Sequence, residues 1–218
     1  MILKNSYLEQ VARGLIKLTP TQAKSTAAIL NEFLLVLLDC SGSMNEECGR
    51  THRLGAAQDA ILRLLDTRRA LKADDQIAVI AFHDDAHLVL PPTRCRDHGS
   101  TIEKAIRSIT GGGGTSLAVP LILAGTIVPG SGAAHIVMLS DGHGGDPTSA
   151  ADKLKRRGAI IETIGVGNDP AEVAEDYLRA AASVLNGKVL YRFITDADEM
   201  SHYFRTEIAN RLVYRSKS

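Results

Sequence analysis

Six short apolar runs punctuate the chain, at residues 33–39, 76–82, 87–90, 136–140, 160–166 and 189–194, and longer segments with helical spacing separate most of them. The first run, Phe33-Leu34-Leu35-Val36-Leu37-Leu38, has no polar position before Asp39. A strand that is apolar on both faces is covered on both, which predicts a mostly parallel sheet between two helical layers. After the first run, Leu54, Ala57, Ile61, Leu64, Leu65 and Leu71 recur at spacings of three, four or their sums, one apolar stripe of a helix. The spacing predicts further helices over 101–109, 117–128, 148–157 and 171–185, the last opened by Asp169-Pro170 as cap and first-turn proline. Only His83-Asp84-Asp85-Ala86-His87 lies between Phe82 and Leu88. That is too short for a crossover helix, so these two strands pair as an antiparallel hairpin. The expected architecture is an α/β doubly wound sheet with an antiparallel edge strand and helices on both faces. In such sheets a ligand sits beyond the carboxyl ends of the strands, where the winding reverses.

Residues 1–29 stand apart as an N-terminal extension, and residues 30–215 form the domain. In the extension Tyr7, Leu8, Val11, Leu15 and Ile16 suit one face of a short helix stopped at Thr19-Pro20. This helix is either packed on the domain or a partner-binding arm; the pattern fits both. Near the other end, Met200, Tyr203, Phe204, Ile208 and Leu212 make a stripe that reads as core.

Composition narrows the function classes. The 218 residues carry 25 basic and 25 acidic side chains, a formal charge of zero. No basic field is available for a phosphate backbone, so nucleic acid is not the expected partner. The longest apolar run is far below the roughly 20 residues that span a bilayer, and Met1-Ile2-Leu3-Lys4-Asn5-Ser6 does not open a secretory signal. Three cysteines, Cys40, Cys48 and Cys95, form no disulfide framework. A cytoplasmic protein without a membrane partner is expected.

Candidate chemistry gathers at strand ends. The first run ends in Asp39-Cys40-Ser41-Gly42-Ser43 and the fourth in Asp141-Gly142; between them lies Gly111-Gly112-Gly113-Gly114-Thr115-Ser116. Alternate residues of an extended segment point the same way, so Asp39, Ser41 and Ser43 address one point beyond the strand. The glycines let backbone approach it closely. Two carboxylates and three hydroxyls are hard oxygen donors, which suit Mg²⁺ or Mn²⁺ rather than zinc or copper.

These three segments, in this order, resemble the von Willebrand factor A (vWA) domain with its metal-ion-dependent adhesion site. The resemblance covers about Leu30 to Tyr214 and includes the 77–82 and 86–91 strand pair. It implies a Rossmann-like six-stranded sheet of order 3-2-1-4-5-6, with the strands ending in Asp39 and Asp141 adjacent. It implies a metal set of Asp39, Ser41, Ser43, Thr115 and Asp141. Ser41, Ser43 and Thr115 would ligate directly, and the aspartates directly or through water. Met44, Ser116, Gly142 and His143 would form the partner-contact rim. The implied function is a non-enzymatic binding module in which a Glu or Asp of a partner protein completes the coordination of Mg²⁺ (or Mn²⁺). By analogy with intracellular bacterial members, the partner would be an AAA+ ATPase, kinase or phosphatase of a stress-response or defence system.

The alternative is a metal-dependent phosphoester hydrolase using the same ion as Lewis acid, with His143 as the one base near the site. The glycine run is not followed by the Lys of a phosphate-binding loop, and neither Gly-x-Ser-x-Gly nor His-Glu-x-x-His occurs. His83, Asp84, Asp85 and His87 read as a solvated hairpin turn.

Overall fold

A computed structural model of the chain describes residues 32–97, 99–129 and 134–210. The chain divides into Met1–Asn31 and Glu32–Ser218, and every described residue belongs to the second unit. The helix expected over Tyr7–Ile16 and the position of Leu212 lie outside the described residues.

Six strands form the central sheet: β1 (Phe33–Asp39), β2 (Gln76–Phe82), β3 (Ala86–Arg94), β4 (Ala134–Ser140), β5 (Ala159–Val166) and β6 (Tyr191–Ile194). Their spatial order is β3-β2-β1-β4-β5-β6. All neighbours run parallel except β2 and β3, which pair antiparallel. The hairpin deduced from the short 83–87 connection is therefore the edge of the sheet. The winding reverses between β1 and β4, which pair with Leu38 beside Leu139, so Asp39 and Asp141 leave the sheet side by side.

Among the described residues six α-helices cover it: α1 (Arg53–Leu71), α2 (Ser100–Arg107), α3 (Ala118–Ile127), α4 (Thr148–Arg156), α5 (Glu175–Ala181) and α6 (Ala197–Tyr203), the last running on into a π-turn at Phe204–Ile208. Every residue of β1 is buried, and its side chains alternate between two cores. Leu34, Val36 and Leu38 pack with Leu54, Ala57, Ile61, Leu64 and Leu65 of α1 and with Met200, Phe204 and Ile208, whereas Leu71, at the end of the expected stripe and of α1, is exposed. Phe33, Leu35 and Leu37 pack with Leu121 and Ala124 of α3, Leu154 of α4 and Leu178 of α5. The all-apolar strand thus has the two helical layers that its composition requires.

One expected element is shorter than its pattern. The helix over 171–185 is a 3₁₀ turn at Pro170–Glu172 followed by α5, which ends at Ala181. Asp169 caps the 3₁₀ turn, accepting from the Ala171 N–H at 2.8 Å. Beyond Ala181 the backbone is drawn into extended pairing: Ser183 N–H donates to Ile161 C=O, and Val184–Leu185 pairs with Lys188–Val189 across Asn186-Gly187. Both turn residues have positive φ, 52° and 76°, the signature of a tight hairpin. The 189–194 run accordingly divides into Lys188–Val189 and β6. Among the described residues no helix is long and apolar enough to cross a membrane.

Candidate functional site

At the carboxyl end of β1, Asp39 is fully buried. Its Oδ1 accepts from the Ser41 N–H at 2.8 Å and its Oδ2 from Ser140 Oγ at 2.5 Å. Ser140 Oγ in turn accepts from the Gly142 N–H at 2.9 Å, so one serine ties the ends of β1 and β4 together. Burial pushes the Asp39 carboxyl up to about 6, against these hydrogen bonds, and the nearby charge of Asp141 adds to the rise. A 3₁₀ turn at Gly42–Asn45 follows. It brings Ser41 Oγ within 3.2 Å of Ser43 Oγ.

The glycine loop lies directly against this turn. Gly42 N–H donates to Gly113 C=O at 3.1 Å, and Gly112 N–H to Cys40 C=O at 2.8 Å. Its far end meets the loop after Asp141, where Leu117 N–H donates to Gly144 C=O at 3.1 Å. Half-buried Thr115 stands between these anchors. A Cβ on Gly144 would come within 2.9 Å of the Thr115 methyl. All three sequence segments are therefore joined by backbone hydrogen bonds at one end of the sheet. Asp141 is buried, and its Oδ1 accepts from the His143 N–H at 3.3 Å.

The rim is smaller than the sequence suggests. Met44 is fully buried in the core with Leu54 and Cys48, so its side chain offers no contact surface. Gly142 is buried as well, with φ of 82° and the Ala174 carbonyl only 2.8 Å from where a Cβ would stand. Ser116 is half-buried and His143 is exposed. The His143 Nε2 lies 2.7 Å from the Glu172 carbonyl. A carbonyl only accepts, so Nε2 carries a proton and donates it there.

Three supporting residues escape sequence reading. Ser140 looks like the end of an apolar strand. Asp84, expected in a solvated turn, accepts the Gly114 N–H at 2.8 Å, and the His83 carbonyl accepts the Ser116 N–H at 2.9 Å. The hairpin turn thus clamps the loop that carries Thr115. Arg53 is buried beside Glu46, Glu172 and Asp141, although its sequence position marks only the first polar residue of a helix. None of the three has a spacing signal; each depends on which loops meet in space. Among the described residues, no three His, Cys, Asp or Glu side chains cluster as a metal-binding group; two carboxylates meet here, and the other oxygens are hydroxyls.

A family model of the von Willebrand factor type A domain matches residues 34–143, half of the chain. The chain belongs to the vWA family. Its match covers the β1 end, the glycine loop and the Asp141 turn. Domains of this family typically mediate protein interactions and often bind a divalent metal. Solved vWA-like structures share the fold. BatB from Bacteroides thetaiotaomicron superposes with a TM-score of 0.65 at 22% identity, over 82% of this chain and 97% of that one. The von Willebrand factor type A protein from Catenulispora acidiphila gives 0.64 at 23%, over 82% of this chain and 42% of that one. Proximal thread matrix protein 1 of the mussel byssus gives 0.64 at 20%, over 81% of this chain and 46% of that one. This vWA chain thus spans less than half of the latter two. A search of curated protein sequences returns no match.

Proposed function

We propose that the chain is a metal-dependent protein-binding module. Asp39, Ser41, Ser43, Thr115 and Asp141 would hold Mg²⁺ or Mn²⁺, and a Glu or Asp of a partner protein would complete the coordination. The observation that carries the reading is the Ser41–Ser43 hydroxyl pair, 3.2 Å apart at the mouth of two buried carboxylates. Neighbouring oxygens around an octahedral ion with bonds of about 2.1 Å stand about 3.0 Å apart, so the pair has the spacing of two adjacent ligands. The donors are all hard oxygens, the chemistry that favours Mg²⁺ or Mn²⁺.

The chain's residues divide the work. Asp39 has both oxygens engaged by Ser41 and Ser140 and acts as a fixed buried charge beneath the hydroxyls. The glycine loop, held by Cys40, Gly42, Gly144 and Asp84, sets the height of Thr115. Ser43 and Thr115 remain half-open to solvent, which leaves the outer side accessible to another molecule. When bound, the ion supplies a Lewis-acid centre with a position for an outside carboxylate. The partner class carried over from similar intracellular proteins is an AAA+ ATPase, kinase or phosphatase of the same system, acting in the cytoplasm. The hydrolase alternative needs a base, and one nitrogen of its candidate, His143, is committed to the Glu172 carbonyl.

Calorimetric titration with Mg²⁺ and water-proton relaxation with Mn²⁺, using acetate as the stand-in carboxylate, test the reading. The expected result is one ion per chain, loss of that ion in Ser43→Ala, and an acetate-dependent fall in relaxation as water leaves the ion. A chain that binds no ion, or an ion that acetate leaves untouched, overturns it.

A further inference from the structure

Arg53 occupies the first position of α1, where the positive end of the helix dipole disfavours a cation. Its side chain is only 2% exposed. A guanidinium buried there is costly unless carboxylates compensate it. Three do. Nη2 lies 2.8 Å from both Glu46 Oε2 and Glu172 Oε2, and Nη1 lies 3.9 Å from Asp141 Oδ2. Its Nε has no hydrogen-bond partner among the described residues. Helix stability does not account for this placement, whereas the carboxylates do.

The contacts are of two kinds. Those to Glu46 and Glu172 are close ion pairs to exposed side chains, one on each of two segments flanking the site, and the Glu172 contact is also a hydrogen bond. The contact to Asp141 is too long for a hydrogen bond. The guanidinium therefore attracts that carboxylate without occupying the lone pairs of Oδ2. Asp39 differs, since both of its oxygens are hydrogen-bonded at 2.8 Å or less. Asp141 is the carboxylate that is held by charge yet left able to coordinate. The Glu172 residue that receives Arg53 also fixes His143 through its carbonyl, so one side chain reaches both the buried carboxylate and the exposed rim.

We infer that Arg53 is the positioning residue of the site: its charge, 3.9 Å from Asp141 Oδ2, aims that carboxylate toward the cation. This rests on the cation-binding reading above. Groups that orient metal ligands from behind commonly change metal affinity 10–100-fold when removed.

The test is Mn²⁺ titration followed by electron paramagnetic resonance in the wild type, Arg53→Met, Arg53→Lys and the Glu46→Gln/Glu172→Gln pair. Amide exchange in chelator is measured alongside. Arg53→Met is expected to weaken Mn²⁺ about 10–100-fold. Arg53→Lys, which keeps the charge and loses the fork, should weaken it about 3–10-fold. The double glutamine variant leaves Arg53 facing Asp141 and should stay within about threefold of wild type. In chelator, Arg53→Met should speed exchange at His143 and Ala174 while β1 stays protected. A folded Arg53→Met chain with wild-type affinity overturns the inference, as does a double glutamine variant that reproduces the whole loss. If Arg53→Met fails to fold, Arg53→Lys decides: a 3–10-fold loss supports the inference and unchanged affinity overturns it. Wild-type chain that takes no Mn²⁺ sinks the cation reading itself, whereas an ion indifferent to Arg53 sinks only this inference.

Discussion

Gly144→Ala perturbs the site without replacing any of its proposed ligands. A Cβ there would lie 2.8 Å from Leu117 N and 2.9 Å from both Leu117 Cγ and the Thr115 methyl. Ordinary contacts begin near 3.4 Å, so Thr115 or Leu117 must retreat by about 0.5 Å, and the backbone hydrogen bond from Leu117 to Gly144 resists the move. Overpacking of this kind costs about 1–3 kcal/mol of stability. The functional cost is separate. Metal–ligand distances hold within about 0.2 Å, so a hydroxyl displaced by 0.5 Å gives way to water. We expect about a tenfold loss of Mg²⁺ affinity, or about 1.4 kcal/mol. Gly145→Ala is the matched control. Its φ of 78° strains an alanine, yet nothing lies within 4 Å of the added carbon. It should cost about 1 kcal/mol of stability and leave Mg²⁺ binding within about twofold. Urea unfolding in EDTA measures the first quantity and calorimetry the second. Equal Mg²⁺ affinity in the two variants would refute the placement of Thr115 beside the ion.

Asp84→Ala removes the carboxylate that accepts the Gly114 N–H. Because the side chain is mostly exposed, we expect a cost of about 1 kcal/mol or less, read as faster amide exchange at Gly114, with a several-fold weaker Mg²⁺ affinity. Burial pushes the Cys40 and Cys95 thiols up to about 11, with the charges of Asp39 and Asp75 adding to the effect. Iodoacetamide at pH 8 should therefore spare both in the folded chain and label both in urea, as mass spectrometry reads; rapid native labelling contradicts this. The folded Asp39 carboxyl titrates near 6 against 3.8 in a model peptide. Its contribution to stability in chelator is thus complete below about pH 4 and lost as pH rises through about 6. Two units correspond to about 3 kcal/mol. Urea midpoints at pH 4 and pH 7, compared with Asp39→Asn, isolate that share, and a pH-independent difference between the two proteins contradicts it.

Most of the fold was legible because burial leaves a plain imprint on strands. The Phe33–Leu38 run could only be a central strand, and the five residues between Phe82 and Leu88 allowed only a hairpin. The 171–185 segment misleads because Ala, Leu and Tyr at helical spacing continue past Ala181. What ends the helix is non-local pairing of Ser183 with Ile161, together with the Asn186-Gly187 turn. At the site, Asp39 and Asp141 stand out in the sequence by their strand-end position. Their supports do not. Ser140 matters because β1 and β4 are neighbours, and Asp84 because the edge hairpin reaches the glycine loop. Met44, the residue next to the Ser43 hydroxyl, lies in the 3₁₀ turn and packs into the core rather than onto the rim.

The central claim is best tested by anomalous diffraction from crystals grown in Mn²⁺, a direct view of where the ion sits. The account predicts a single strong peak within bonding distance of the Ser41, Ser43 and Thr115 hydroxyls, with Asp39 and Asp141 directly behind it. A peak elsewhere, or none at this end of the sheet in crystals saturated with the ion, would contradict it.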